Sequence, residues 1–460
     1  MPLIKSISGF RGTIGGKPNE NLTPIDIVKF ASGYGSWLMQ KGPGKKKVVV
    51  GRDGRISGEM VESLVEQSLI ALGIDVIHLG LSTTPTVEMA VVFEKADGGI
   101  IITASHNPKQ WNALKLLNEK GEFVSAAEGK IILNLAANED FNYAVIEALG
   151  KVTLMNHSLE NHIEAILKNP LVDCLAIGLA NFSVVVDAIN SSGAFAVPAL
   201  LKAIGVNNIT ILNAEMNGEF AHNPEPLKEH LTELCNTVLN KKAHLGIAVD
   251  PDVDRLCFVS EDGSLFGEEY TLVAVADYIL QNKKGSTVSN LSSTRALRDI
   301  TEKNGCTYYA SAVGEVNVVN KMKEQHAVIG GEGNGGIIVP DLHYGRDALI
   351  GIALFLSHLA KTKLTTSALR ASYPAYFMSK KKIDLKPNTS LTNIFNTLED
   401  KFKAYAINKE DGLKIDFENE WVHLRSSNTE PIVRVYTEAT SQASADKLAL
   451  DIISIIETIQ

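Results

Sequence analysis

Short apolar runs that stop at polar turns alternate with amphipathic stretches of helical length through most of the chain. That alternation predicts an α/β fold. The pattern also repeats. KVVVGRDGRIS (47–57), SVVVDAINSSG (183–193) and STVSNLSSTRA (286–296) each read as a buried strand entering a polar turn. A helical stretch follows each one, ends near a glycine, and gives way to a second strand, in ALGIDVIHLG (71–80), AIGVNNITILN (203–213) and KNGCTYYASAVG (303–314). After a further helical stretch comes a third strand, in GGIIITASHNP (98–108), HLGIAVDPDVDR (244–255) and AVIGGEGNGG (327–336). Three copies of one module are therefore predicted. Ligand sites in α/β modules lie beyond the carboxyl ends of strands. That slot holds Ser105 in the first copy, three aspartates in the second and Glu332 in the third.

From about residue 371 the pattern changes. A strand-like stretch, a helix over Leu391 to Ala406, and a strand–turn–strand in EWVHLRSSNTEPIVRVYTEA (420–439) precede a final helix, Ala443 to Ile459. That helix carries Ala445, Leu448, Ala449, Ile452, Ile455, Ile456 and Ile459 at helical spacing. A smaller fourth domain of α+β type is expected. The boundaries read as 1–153, 154–256, 257–370 and 371–460.

Composition narrows the class. At 460 residues the chain is too long for one core. A hydrophobic content of 45% with 21% charged residues is that of a soluble globular protein. The net charge of -9 has no long run of one sign, which argues against nucleic-acid or membrane-surface partners. Cys174, Cys235, Cys257 and Cys306 form no C-x-x-C pair and read as reduced thiols. The start, MPLIKSISGFRG, has no apolar core of signal-peptide length, and the most apolar stretch, Leu349 to Leu359, reads as a core helix. A cytoplasmic protein is expected.

The candidate chemistry sits in four stretches. In GIAVDPDVDR, Asp250, Asp252 and Asp254 alternate after a buried strand. Carboxylates this close repel unless a cation holds them, and hard oxygen ligands suit Mg²⁺ or Ca²⁺. Glu261 at the twelfth position imitates an EF-hand loop, but Arg255 stands where that loop needs glycine, and both flanks read as strands. A solvated acidic turn is the bland alternative. Haloacid-dehalogenase-like phosphatases also end a strand in D-x-D; that reading puts an aspartyl phosphate on Asp250 and leaves Ser105 idle. Ser105, before Asn107-Pro108, is either a turn residue or a phosphoryl carrier whose charge a metal and cations neutralise. In GGEGNGG (330–336), Glu332 and Asn334 lie on a glycine-rich loop without the lysine of a P-loop, and they suit sugar hydroxyls better than nucleotides. RSSNTEPIVR (425–434) gathers Arg425, Ser426, Ser427, Asn428 and Thr429 in a turn with Arg434 after it, a set that fits a phosphate dianion.

With these stretches in order from Ser8 to the C-terminal domain, the chain resembles the α-D-phosphohexomutase superfamily. TASHNP looks like its phosphoserine loop, DPDVDR its magnesium loop, GEGNGG its sugar-reading loop and RSSNTEP its phosphate-binding loop. The resemblance implies three related α/β domains and a TATA-binding-protein-like fourth domain around a central cleft, with phosphoserine, metal, sugar and phosphate sites in chain order. It implies that Ser105 is phosphorylated and joins Asp250, Asp252 and Asp254 in holding Mg²⁺. Arg11 in GFRG and Lys115 in WNALKLLN match residues that assist proton transfer and stabilise charge, with His106 and Arg255 close by. Glu332 and Asn334 would hold the sugar, and Arg425, Ser427, Asn428, Thr429 and Arg434 its distal phosphate. The TASHNP alanine, GEVNV (314–318) and GEGNGG look most like archaeal-type phosphoglucosamine mutases. Many relatives have Ser in place of Asn334, and His in place of Gly336 and Glu315. The implied reaction interconverts glucosamine 6-phosphate and glucosamine 1-phosphate through a phosphoserine enzyme and a 1,6-bisphosphate, with glucose or glucosamine 1,6-bisphosphate as activator. A phosphomannomutase or phosphoglucomutase of the same superfamily is the alternative. A phosphosugar substrate and a monomer or homodimer complete the expectation.

Overall fold

Valine and isoleucine runs flanked by helices on both faces have no water to meet, so they form the central strands of parallel sheets. Val48, Val49 and Val50 are fully buried, as are Ile100 and Ile102. In the first module the strand Lys47–Arg52 lies between Asp75–Leu81 and Gly98–Ile102, parallel to both. In the second, Ser183–Asp187 lies between Asn208–Leu212 and Leu245–Val249, again parallel to both. In the third, Thr287–Asn290 lies between Tyr308–Ser311 and Ile329–Glu332 in the same way. The repeat seen in the sequence is thus a repeat of topology. In every copy the first strand is central, and the strand carrying the polar motif is its neighbour on one side.

The computed structural model describes residues 3–6, 9–386, 389–426 and 432–459. The chain divides into two units, Met1–Thr271 with Gly335–Ser367, and Leu272–Asn334 with Ala368–Gln460. The first two modules fall in the first unit; the third module and the C-terminal sheet fall in the second.

Two hairpins extend the sheets of the first unit. Trp111–Leu117 runs antiparallel to Gly98–Ile102, and Gly9–Thr13 runs antiparallel to Trp111–Leu117. Leu256–Ser260 runs antiparallel to Leu245–Val249. TASHNP and DPDVDR are therefore the turns of two hairpins. The expected core helix forms over Ala348–Thr362 and is buried from Ala348 to Leu359. Asp347 caps it, accepting from the backbone N–H groups of Leu349 at 2.8 Å and Ile350 at 3.3 Å. Among the described residues no helix is long and apolar enough to cross a membrane.

In the second unit, Phe377–Asp384, Ile432–Ala439, Trp421–Ser426, Leu413–Asp416 and Ala406–Asn408 form a five-stranded antiparallel sheet in that spatial order. The final helix, Gln442–Ile459, buries Ala445, Ala449, Ile452 and Ile456, the face its periodicity predicts. The helix expected to reach Ala406 stops at Lys401. Phe402 and Tyr405 instead pack on Phe417, with ring centroids 5.6 and 4.7 Å away, and Ala406–Asn408 pairs with the sheet. Pairing at an open sheet edge outweighs another turn of helix there.

Candidate active site

The TASHNP turn is built around a buried guanidinium. Arg55 lies in the polar turn after the strand Lys47–Arg52, and its side chain is fully buried. Its Nη1 donates to the carbonyls of Pro108 and Trp111 at 2.9 and 2.8 Å, and its Nη2 to those of Ser105 and Asn107 at 2.5 and 2.7 Å. Its Nε donates to Asp53 Oδ2 at 3.1 Å, which compensates the charge. All three nitrogens of the fork are engaged. Asp53 also accepts from Thr103 Oγ1 at 2.6 Å, and Thr103 Oγ1 accepts from Ser105 N–H at 2.9 Å. Held this way, Ser105 adopts the left-handed conformation, with φ of +49°. A non-glycine residue there is strained, and the network holds it.

The aspartate turn is strained as well. Val253, β-branched and fully buried, has φ of +61°. Asp250 Oδ1 accepts from the backbone N–H groups of Asp254 and Arg255 at 3.2 and 3.1 Å, closing the turn. The three carboxylates are buried, with one oxygen of each within 4.8 Å of the others. The hydroxyl of Ser105 donates to Asp250 Oδ2 at 2.7 Å, across 145 residues of sequence. Lys115 Nζ bonds Asp252 Oδ2 at 2.7 Å and Asp254 Oδ2 at 3.1 Å. Thr84 Oγ1 donates to Asp252 Oδ2 at 2.6 Å, and Arg346 Nη2 to Asp254 Oδ2 at 2.8 Å.

These donors leave a pattern. Among the described residues, Asp252 Oδ1 and Asp254 Oδ1 are buried and find no hydrogen-bond donor outside the trio of acids. Burying carboxylate oxygens without a partner is costly. Two such oxygens beside a third acid fit a hard divalent cation, so the donor set suits Mg²⁺ or Ca²⁺ and lacks the nitrogen and sulfur that zinc favours. The acids are also unequal. Burial first, then repulsion from Asp252 and Asp254, push the pKa of Asp250 well above the usual carboxylate range. Burial acts the same way on Asp252, but Lys115 outweighs it and holds Asp252 below that range.

Further nitrogen-bearing side chains surround the serine. His106 Nδ1 lies 3.4 Å from Ser105 Oγ. Burial, then Arg255, push its pKa down to about 2, so the imidazole is neutral at physiological pH. Arg255 Nη1 donates to Glu225 Oε1 at 3.0 Å. Arg11 Nη1 reaches Asn107 Oδ1 at 3.4 Å, and burial together with Arg255 lowers its pKa. The first unit therefore brings Arg11, Ser105, His106, Lys115, Asp250, Asp252, Asp254 and Arg255 into one neighbourhood.

Glu332, Asn334, Arg425 and Arg434 belong to the second unit. Glu332 ends the strand Ile329–Glu332 and is buried; its Oε1 accepts from Asn290 Nδ2 at 2.9 Å and Gly314 N–H at 3.1 Å. Asn290 ends the central strand of the third module, and Gly314 follows its neighbour, so three strand ends meet at this carboxylate. Beyond it, Gly335 has φ of +85°, and a Cβ there would lie 2.2 Å from the Leu256 carbonyl oxygen. Only glycine fits. Arg425 and Arg434 are direct cross-strand partners. Like charges so placed destabilise a sheet unless an anion lies between them. Arg425 pairs with Asp411 at 2.7 Å, while Arg434 is exposed. Ser427, Asn428 and Thr429 lie outside the described residues.

Asp53, Arg55, Thr84 and Arg346 join the site without having been singled out. RDGRIS was visible as the polar end of a repeated strand, and two opposite charges there were the signal for Asp53 and Arg55. Thr84 lies in the first turn of a helix, where a hydroxyl reads as ordinary capping. Nothing local marks Arg346.

Known proteins match the chain from end to end. The chain matches the family models of phosphoglucomutase/phosphomannomutase: alpha/beta/alpha domain I over residues 4–143, domain II over 160–263, domain III over 267–376 and the C-terminal domain over 388–455. It is 36% identical to a phosphoglucomutase/phosphomannomutase of Thermococcus kodakarensis, over 94% of this chain and 95% of that one. It is 30% identical to a phosphoglucosamine/phosphogalactosamine mutase of Sulfurisphaera tokodaii, over 99% and 100%. In fold it resembles the crystal structure of a phosphoglucomutase/phosphomannomutase family protein from Burkholderia thailandensis, with a TM-score of 0.82 at 24% identity over 99% of this chain and 98% of that one. With all four domain signatures in order and more than a third of its residues shared with one full-length member, the chain belongs to the phosphoglucomutase/phosphomannomutase family of phosphohexomutases, and it is an enzyme.

Proposed function

We propose that the enzyme interconverts glucosamine 6-phosphate and glucosamine 1-phosphate by way of a phosphoserine at Ser105. The observation that carries this reading is the 2.7 Å contact between the Ser105 hydroxyl and Asp250, within a buried trio of acids in which two oxygens have no donor from outside the trio among the described residues. The free hydroxyl of the sugar phosphate attacks phosphorus, the P–Oγ bond to Ser105 breaks, and a 1,6-bisphosphate forms. After the sugar turns over, the other phosphoryl group returns to Ser105 Oγ.

The chain's own residues divide the work. Lys115, tied to Asp252 and Asp254, is a fixed cation for the charge on the transferring group. Arg11, whose proton burial and Arg255 loosen, is placed for proton transfer, with neutral His106 and Arg255 beside the serine. Asp250, Asp252, Asp254 and an oxygen on Ser105 would hold Mg²⁺, which neutralises phosphoryl charge when bound. Glu332 and Asn334 take sugar hydroxyls. Arg425, Ser427, Asn428, Thr429 and Arg434 take the phosphate that is not reacting. The reading carries with it a cytoplasmic enzyme, primed by glucose or glucosamine 1,6-bisphosphate, built from four domains at 1–153, 154–256, 257–370 and 371–460, and acting as a monomer or homodimer.

The amino sugar is supported by the name of the Sulfurisphaera relative. The Thermococcus relative, at higher identity, supports glucose or mannose phosphate as the second reading. Comparing kcat/KM for glucosamine, glucose and mannose phosphates on one preparation decides between them. A preference for glucosamine phosphate is expected; a preference for either neutral sugar overturns the assignment.

A further inference from the structure

Arg346 lies outside all four motifs, on the segment Gly335–Ser367 of the first unit, yet its guanidinium reaches the aspartate turn. Its Nη2 donates to Asp254 Oδ2 at 2.8 Å, and Lys115 Nζ bonds the same oxygen at 3.1 Å. The other oxygen of that carboxylate, Oδ1, is buried and has no donor among the described residues. Two cations on one oxygen fix the rotation of the carboxylate about its C–C bond, and with it the place of the second oxygen. The backbone supports the same turn: Ala348 N–H donates to the carbonyl of Val253, the residue in the strained left-handed conformation, at 3.2 Å.

The position of Arg346 is itself anchored. The next residue, Asp347, is fully buried, caps the helix Ala348–Thr362 through Oδ1, and meets two imidazoles through Oδ2. His162 Nε2 lies 2.9 Å from that oxygen and His343 Nε2 lies 3.3 Å from it. The far nitrogens are held in turn, His162 Nδ1 by Thr86 Oγ1 at 3.0 Å and His343 Nδ1 beside Glu88 Oε2 at 3.3 Å. A buried network of this kind has one arrangement, so the backbone at Arg346 has little freedom to drift.

We propose that Arg346 is a positioning residue for metal binding, orienting Asp254 so that its Oδ1 joins Asp250 and Asp252 around a divalent cation. The inference rests on the reading of the aspartates as the metal site. It predicts the sign of an effect that simple electrostatics would reverse. Removing a positive charge beside three acids should, by Coulomb's law alone, tighten cation binding. Losing an outer partner that orients a ligand should loosen it, by about 10- to 100-fold.

The test is Mn²⁺ binding, followed by EPR titration of free Mn²⁺ on the full chain, in the native protein, R346Q and R346K, together with kcat and KM for the sugar phosphate. The native protein is expected to bind one Mn²⁺. R346Q should bind it at least about tenfold more weakly, with kcat reduced and KM for the sugar phosphate unchanged, because Glu332, Arg425 and Arg434 are untouched. R346K, which keeps the charge and loses the fork, should fall between the two. Equal or tighter Mn²⁺ binding by R346Q overturns the proposal. If R346Q does not fold, R346K decides alone, and native affinity in that variant overturns it. Failure of the mutase reading looks different: the native protein would bind Mn²⁺, with R346Q weakened, and would turn over none of the sugar phosphates.

Discussion

Replacing Arg55 separates what holds the serine turn from what reacts there. The native guanidinium is fully buried and makes five hydrogen bonds between 2.5 and 3.1 Å, one to Asp53 and four to carbonyls of the turn. Methionine at this position leaves Asp53 buried without its cation, which costs about 3–5 kcal/mol. Lysine keeps the charge but has three donors, so at least two acceptors lose their partner, each worth about 1–3 kcal/mol. The strained φ of Ser105 adds about 1–3 kcal/mol that the turn releases once it is no longer gripped. Activity should fall further than stability, because a displacement of about 1 Å at the reacting oxygen costs about 100-fold in rate. The D53N/R55M double variant removes both charges. It should regain much of the stability lost in R55M, since no uncompensated charge remains, while staying slow, because the four carbonyls are still ungripped. Thermal melts and mutase kinetics on the full chain measure both effects. R55M melting within a degree of the native protein, or a double variant with native kcat, would show that Arg55 does not hold the turn.

Two further predictions concern buried networks. Burial opposes a charge on His343, but Asp347 and Glu88 outweigh it and push its pKa up to about 10 from an ordinary 6.5. The proton is bound more tightly in the folded state, so this contribution to stability is complete below about pH 6.5 and is lost as pH rises through about 10. The melting temperature should therefore decline across that window, and H343Q should flatten the decline; an equally steep decline in H343Q refutes the assignment. Asn290 orients Glu332 through a 2.9 Å bond, so N290A should raise KM for the sugar phosphate about tenfold, equivalent to about 1.4 kcal/mol, with a smaller change in kcat. An unchanged KM would mean that Glu332 does not touch the sugar or needs no support.

Much of the architecture was legible because strands buried on both faces leave continuous apolar runs, and Val48–Val50, Val184–Val186 and Leu245–Val249 are such runs. The motifs at the ends of the third strands stood out because the same slot of a repeated module carries unusual chemistry in each copy. The end of the helix at Lys401 was not, since Phe402 and Tyr405 fit a helical pattern as well as they fit a packing site on Phe417. Arg55 and Arg346 were missed for a different reason. Each acts through partners far along the chain, Arg55 on the carbonyl of Ser105 and Arg346 on the carboxylate of Asp254. Only folding makes such pairs adjacent, and no local spacing announces them.

The phosphoenzyme itself can be isolated and its phosphorylated residue identified. The full chain is incubated with Mg²⁺ and a hexose 1,6-bisphosphate, digested, and the peptide spanning TASHNP is sequenced by mass spectrometry. One phosphoryl group is expected on Ser105, stable to hydroxylamine, discharged on adding glucosamine 6-phosphate, and absent from S105A. A hydroxylamine-sensitive phosphate on Asp250, or steady mutase turnover by S105A, would contradict it.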